Sequence, residues 1–313
     1  MKEIGGYLDL ERSHGNHEYY GDLIALNTAR NALVYLLKAR KIKKLYIPYF
    51  LCDSVSGVCN REGYKYEYYK VDEHLRPVFD KEISEGECFY LVNYYGQISD
   101  DEILEFKNKY GNLIVDNVQA FYQKPVLGID TIYSCRKFFG VPDGAYLSTN
   151  IILGEELYQD ISENRMAHII GRAKESASAY YAAYTANEGL FENLKLKLMS
   201  ELTHKLLSDI DYQKCKCKRE ENFKYLHERL GAKNKLNITI PEGPYMYPFY
   251  SENGMTLKKK LAAKKIYIPT LWPNVLDMDC KIEKDLAENI LPLPCDQRYD
   301  EDDMNDIIKQ ILL

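Results

Sequence analysis

The segment SCRKFFGVPDGAY (134–146) places a serine, an arginine and a lysine together, just after a strand-like run and just before a glycine-containing turn. A lysine at a strand end in an α/β protein can serve as a Schiff-base nucleophile if its ammonium is partly desolvated and held near a cation that lowers its pKa. Lys137 is that lysine and Arg136 the neighbouring cation, so a partly buried Lys137 with a depressed pKa is expected; a surface Lys-Arg pair is the bland alternative. Upstream, IVDNVQAFY (114–122) sets Asp116 at the end of an apolar run and Gln119 three residues later. A strand ending in an acid delivers a carboxylate to the carboxyl edge of an open sheet, the usual ligand side. There it can keep a pyridine nitrogen protonated, which makes pyridoxal phosphate an electron sink, and Gln119 can donate to the ring oxygen. The competing role for Asp116 is a helix cap. In a third segment, ALNTARNALVYLL (25–37), a helix opens through Thr28, Ala29 and Arg30. Free N–H groups and the positive helix end form a phosphate cradle there, with Arg30 adding charge; an ordinary Asn or Thr cap is the other reading.

Other chemistries lack their parts. Ser134 and Lys137 also match the S-x-x-K of serine acyltransferases such as penicillin-binding proteins, but the partner S-D-N and K-T-G elements are missing. No nucleotide P-loop, dinucleotide fingerprint or H-E-x-x-H motif is present. The six histidines form no metal-like cluster, His14 and His17 read as exposed loop residues, and Cys215 and Cys217 lack a second ligand pair for tetrahedral zinc. With 41 basic and 47 acidic residues the net charge is −6, without the basic surplus that nucleic-acid binding needs. No run approaches the roughly 18 apolar residues that span a bilayer, and the start MKEIGGYLDLERSHGNHEYYGD has no apolar signal core. A cytoplasmic protein is expected, with its eight cysteines as thiols. The 28 tyrosines, beside 10 Phe and one Trp, suggest half-buried amphipathic surface around a polar ligand or at a subunit interface, or a plain usage bias.

These residues need a scaffold, and the hydrophobic pattern supplies one. Strand-like runs at 44–48, 65–71, 87–93, 112–116, 131–134 and 145–149 alternate with helical periods at 28–42, 51–62 and 101–111. Such alternation implies βαβ units and a mostly parallel sheet covered by helices. Beyond about residue 155 the pattern predicts helix over 156–186 and 189–231, broken near Asn187-Glu188-Gly189. The remainder mixes short strands (245–250, 265–269) with helices (255–264, 300–312), an α+β pattern. A domain boundary is placed near 185, giving a large domain 1–185 and a smaller C-terminal domain 186–313.

In this order and spacing the three segments resemble the DegT/DnrJ/EryC1/StrS sugar aminotransferases, a group of fold-type-I pyridoxal-phosphate enzymes. T-A-R (28–30) resembles the family's S-G-T or S-G-R phosphate turn, Asp116 and Gln119 its D-x-x-Q, and Ser134 and Lys137 its serine and cofactor lysine. IPYFLCDSV (47–55) looks like the stretch that stacks on the cofactor ring, through Phe50 or Cys52. LVNYYG (91–96) resembles the strand that brings Asn93 to the cofactor, and LPLPCDQRYDEDDMNDII (291–308) the family's last strand and acidic helix. The serine-to-lysine spacing is shorter here, which makes Arg136 a second phosphate candidate, and the turn glycine is Ala29. The resemblance implies the pyridoxal-phosphate transferase fold type I. It also implies an aminotransferase that moves an amino group from glutamate or glutamine to a nucleotide-linked keto-sugar, for polysaccharide or a secondary metabolite, in a homodimer. Sugar dehydration with the same cofactor and a non-catalytic relative are the alternatives. The tyrosine-rich AYYAAYTAN (179–187) is a candidate interface element.

Overall fold

The apolar runs become strands, and the computed structural model, which describes residues 4–6 and 17–313, joins them into one main sheet. After β1 (Ile4–Gly5) come β2 (Ile24–Leu26), α1 (Ala29–Ala39), β3 (Lys44–Pro48), α2 (Asp53–Glu62), β4 (Lys65–Val71), β5 (Pro77–Val78) and β6 (Glu87–Val92). Then follow α3 (Asp100–Tyr110), β7 (Leu113–Asp116), β8 (Asp130–Ser134) and β9 (Ala145–Ser148). The sheet order is β2-β9-β8-β7-β6-β3-β4-β5. Strands β4, β3, β6, β7 and β8 run parallel, while β9 lies antiparallel between β8 and β2. β7 and β8 are buried at every position, which requires cover on both faces of the sheet. The helices start where local chemistry says they should. α3 opens with a Ser99–Glu102 capping box and three acids in its first turn, and stops at Gly111, whose φ of +67° suits glycine.

The second half departs from the helical expectation. Residues 149–166 contain no α-helix, and the helices are α4 (Ala167–Lys174), α5 (Tyr181–Leu190), α6 (Glu201–Ser208) and α7 (Tyr212–Leu230). The break expected near 187–189 comes slightly later: α5 runs through Gly189, a residue a helix tolerates at roughly 1 kcal/mol relative to Ala, and ends at Leu190. A boundary at 185 therefore falls inside α5. The following segment still belongs to the main sheet, because Asn27 N donates to Lys197 O (3.0 Å) and Met199 N to Ala25 O (3.1 Å). A change in sequence texture reported a change of secondary structure, not of core. The C-terminal part pairs β10 (Met246–Tyr250) antiparallel with β12 (Ile290–Pro294), beside α8 (Gly254–Ala263), α9 (Lys281–Asn289) and α10 (Glu301–Leu312). β11 (Ile266–Tyr267) returns to pair with β1. One hydrophobic core runs through both halves. Many tyrosines are structural: Tyr20, Tyr69 and Tyr94 are buried with hydroxyls on the carbonyls of Phe121, Tyr90 and Phe50 at 2.7, 2.8 and 2.6 Å.

Candidate active site

β7 ends on Asp116, β8 on Ser134 and β2 on Leu26, so their last residues reach the same carboxyl edge. Register brings them close: Asp116 pairs with Ile132, and Ser134 and Leu26 flank Ala145 on either side. The 3-10 turn Cys135–Lys137 follows Ser134 directly. It is stitched to the start of α1 through Gly144, which accepts from Cys135 N (3.1 Å) and donates to Asn27 O (2.8 Å). Gly144 has φ +113°, and a Cβ there would sit 3.0 Å from Thr203 Cγ2 and 3.3 Å from Cys135 Sγ, so only glycine serves.

Asp116 is buried. Its Oδ1 accepts from Val118 N (2.9 Å) and its Oδ2 from the Tyr90 hydroxyl (2.8 Å). Burial pushes its pKa up to about 6, against the pull of those two donors and the Lys137 charge. Gln119, also buried, accepts from Tyr95 N through Oε1 (2.8 Å), while its amide nitrogen donates to no described residue. Thr28 Oγ1 caps α1 by accepting from Asn31 N (3.0 Å), and the N–H groups of Ala29 and Arg30 keep no helix partner. Cap and cradle are thus one feature. Half-buried Arg30 makes no hydrogen bond or ion pair with a described residue, and the buried Ser134 hydroxyl has no described partner.

Lys137 differs from expectation in two respects, its exposure and its pKa. Its side chain is solvent-accessible and its ammonium has no hydrogen-bond or ion-pair partner among the described residues, as a reactive amine needs. Its pKa, however, is raised and not depressed: Tyr245 raises it most, burial opposes, and Tyr184, Glu188 and Cys52 add to the rise. Arg136 does not supply the expected repulsion because it turns away to pair with Glu188 and to lie over the Phe191 ring, 3.7 Å from its centroid. In this arrangement the Arg136 guanidinium is engaged by Glu188, which also feels the Lys137 and Arg30 charges. Burial would raise the pKa of Glu188, but the charges of Arg136, Lys137 and Arg30 hold it below the usual carboxylate range.

Two further candidates are redirected by packing. Phe50 is fully buried against Trp272 (centroids 4.8 Å apart) and Tyr94 (5.4 Å), so it belongs to the core. Cys52 is the member of that pair in the electrostatic neighbourhood of Lys137, with Sγ 2.7 Å from Ser54 Oγ. Asn93 uses its whole amide within the chain, donating to Asn117 Oδ1 (3.0 Å) and Gln123 Oε1 (2.6 Å) and accepting from Ile98 N (2.9 Å). Tyr90, Tyr184, Glu188 and Tyr245 join the site without having been singled out by sequence. Tyr184, Glu188 and Phe191 have the i, i+4, i+7 spacing of one helical face, a signal present in the sequence; Tyr245 carried none.

The unused groups form a coherent donor set. A buried acid suits a pyridinium nitrogen, a pinned amide suits a ring hydroxyl, and a helix start with Arg30 and Ser134 suits a phosphate. An unpaired lysine amine suits an aldehyde. Pyridoxal phosphate carries these four groups, and the site fits it.

No family model and no curated protein matches the sequence. Solved structures do. The chain is similar to a DegT DnrJ EryC1 StrS aminotransferase from Brucella abortus, with TM-score 0.62 and 15% identity over 93% of this chain and 85% of that one. It is similar to the putative sugar aminotransferase Spr1654 from Streptococcus pneumoniae in its PLP form, with TM-score 0.63 and 13% identity over 91% and 84%. DesI, solved in the presence of its TDP-sugar product, gives TM-score 0.62 and 11% identity over 92% and 79%. The fold is that of these aminotransferases, the pyridoxal-phosphate fold type I that the sequence resemblance implied.

Proposed function

We propose that the chain is a pyridoxal-phosphate-dependent aminotransferase that moves an amino group from glutamate or glutamine to a nucleotide-linked keto-sugar, in polysaccharide or secondary-metabolite biosynthesis. The observation that carries this reading is the convergence of the unpaired Lys137 amine and the buried Asp116 carboxylate on one sheet edge, beside an open helix start. The Asp116 carboxylate would hold the pyridine nitrogen, Gln119 the ring oxygen, and the Ala29 and Arg30 N–H groups, with Thr28 shaping the turn, the phosphate. The Arg30 guanidinium and the Ser134 hydroxyl complete the phosphate seat. The bound cofactor supplies an electron sink for charge that develops on substrate carbon. Lys137 Nζ would hold the cofactor through its aldehyde and, once freed by the donor amine, would move the proton between substrate and cofactor carbons as base and then acid. Asp116, with a pKa near 6 in the free protein, is mostly ionised at neutral pH, and a pyridinium beside it draws the pKa lower.

DesI's TDP-sugar product and the PLP form of Spr1654 support the nucleotide-sugar and cofactor parts of this reading. We place the enzyme in the cytoplasm as a homodimer. Exposed apolar side chains on α5 and the segments before it, Tyr158, Ile161, Ile170, Tyr181 and Leu190, favour a covered face. Light scattering with cofactor bound is expected to give twice the chain mass, and a monomer with full activity would remove the dimer. Among the described residues no helix is long and apolar enough to cross a membrane. A panel of nucleotide-linked keto-sugars incubated with glutamate or glutamine tests the reaction. An amino-sugar nucleotide should form with stoichiometric release of the keto acid. Loss of water from the sugar without turnover of the amino acid would replace transamination by dehydration, and failure to bind cofactor would leave a non-catalytic relative.

A further inference from the structure

Arg219, on α7, is a completely buried guanidinium that forms no ion pair with a described carboxylate. The nearby acid Asp296 is hydrogen-bonded by Arg298 at 2.6 and 2.8 Å and is coupled to the Arg219 charge only through space, which helps to hold its carboxyl low. Burying a charge without a paired carboxylate is costly, and an apolar side chain would fill the space more favourably. What Arg219 does instead is donate to backbone carbonyls of two chain segments. Nη2 reaches Phe138 O (3.0 Å), and Nη1 reaches Pro244 O (2.9 Å) and Tyr245 O (3.4 Å). Its guanidinium lies 4.6 Å from the Phe138 ring centroid, and Gln297 Nε2 is a second donor to Phe138 O at 3.0 Å.

The two segments share one relationship. Phe138 immediately follows Lys137, so its carbonyl orients the end of the turn from which the Lys137 side chain departs. Tyr245 is the group with the strongest electrostatic influence on the Lys137 ammonium. The guanidinium presents Nη1 and Nη2 at a fixed spread, so it serves acceptors of both segments at once, whereas a lysine concentrates its three donors on a single nitrogen at the end of a flexible stem.

We propose that Arg219 is a positioning residue that fixes the Lys137 turn against the Tyr245 segment, and so sets the geometry in which the Lys137 amine reacts. This rests on the reading of Lys137 as the reactive amine. The other groups facing Lys137 come from different elements: Tyr184 and Glu188 from α5, Cys52 from the start of α2, and Asp116 from β7. Arg219 makes no hydrogen bond to any of them, so they stay as constants when it is changed.

The test uses the cofactor-free full-length chain, with competitive acetylation by acetic anhydride across alkaline pH and mass spectrometry at Lys137. Arg219→Met and Tyr245→Phe should each lower the labelling midpoint of Lys137, read as severalfold faster labelling at a fixed pH below it. The double variant should move it no further than either single one, because Arg219 acts through Tyr245. Arg219→Lys should fall between wild type and Arg219→Met, and it decides the matter should Arg219→Met fail to fold. A Lys137 midpoint equal to wild type in folded Arg219→Lys, or additive shifts in the double variant, overturns the proposal. Because no cofactor is present, a chain that never binds pyridoxal phosphate would sink the functional reading and leave this result readable.

Discussion

Two polar clusters sit on the same carboxyl edge of the sheet, and they are built on opposite principles. Around Asn93, every donor and acceptor of the amide is matched, and Gln123 continues the network to Ile98 O (3.0 Å) and Asp100 Oδ1 (2.8 Å). Around Lys137, the ammonium, the Arg30 guanidinium, the Ser134 hydroxyl and the Gln119 amide nitrogen have no partner among the described residues. Ser134 and Gln119 are buried, where leaving a polar group unpaired costs about 1–3 kcal/mol, while Lys137 is exposed and Arg30 half-buried, so both stay open to water. A satisfied cluster holds a loop in place; a cluster of unused donors at a ligand edge is a seat for something else.

The contrast predicts different responses to substitution. The largest is at Lys137: Lys137→Arg keeps a cation but removes a nucleophilic amine, so turnover assays should detect no transamination while pyridoxal phosphate still binds noncovalently. Asp116→Asn comes next. It should fold and retain some cofactor but lose about two to four orders of magnitude in turnover, the range ascribed to one positioned acid–base group. Near-normal turnover in that variant would take Asp116 out of the site.

The same carboxyl gives a smaller effect with a definite sign. Its folded pKa, about 6, lies above the ordinary value of 3.8. The cofactor-free protein therefore gains stability from protonated Asp116 that is fully present below about 3.8 and lost as pH rises through about 6, on the order of 2–3 kcal/mol. Cofactor affinity should move the other way and weaken as pH falls through about 6. Denaturant melts of wild type against Asp116→Asn, with cofactor titrations at the same pH values, check both slopes; parallel slopes would contradict the assignment. Smallest in function is Asn93→Ala. It should destabilise the chain by about 1–3 kcal/mol, with cofactor affinity in the folded protein close to wild type. If affinity collapses while stability holds, the two clusters have been assigned the wrong way round.

Legibility in the sequence follows the physics of each feature. The strands from 44 to 148 were readable because their apolar runs are bounded by turns, and the placement of Asp116, Gln119 and Lys137 at one sheet edge was readable because strand ends fix where side chains emerge. The end of α5 was legible to within a few residues from Gly189, while the Tyr184, Asn187, Glu188 and Phe191 face that carries it on to Leu190 is a tertiary matter. The pairing of Arg136 could not be read because its partner Glu188 is 52 residues away in sequence. Phe50 and Asn93 matched the right stretches but were already occupied by the core and by a loop network. Tyr245 and Arg219 could not be seen at all. They act on the Lys137 turn from the C-terminal half, and nothing in spacing or periodicity reports such an encounter.

Reduction of the pyridoxal-phosphate-loaded protein with borohydride, followed by peptide mass spectrometry, tests the central claim most directly. A phosphopyridoxyl group is expected on Lys137, in the peptide that carries SCRKFFG, and none in Lys137→Arg. Attachment to another lysine, or no attachment in protein that has bound the cofactor, would contradict it.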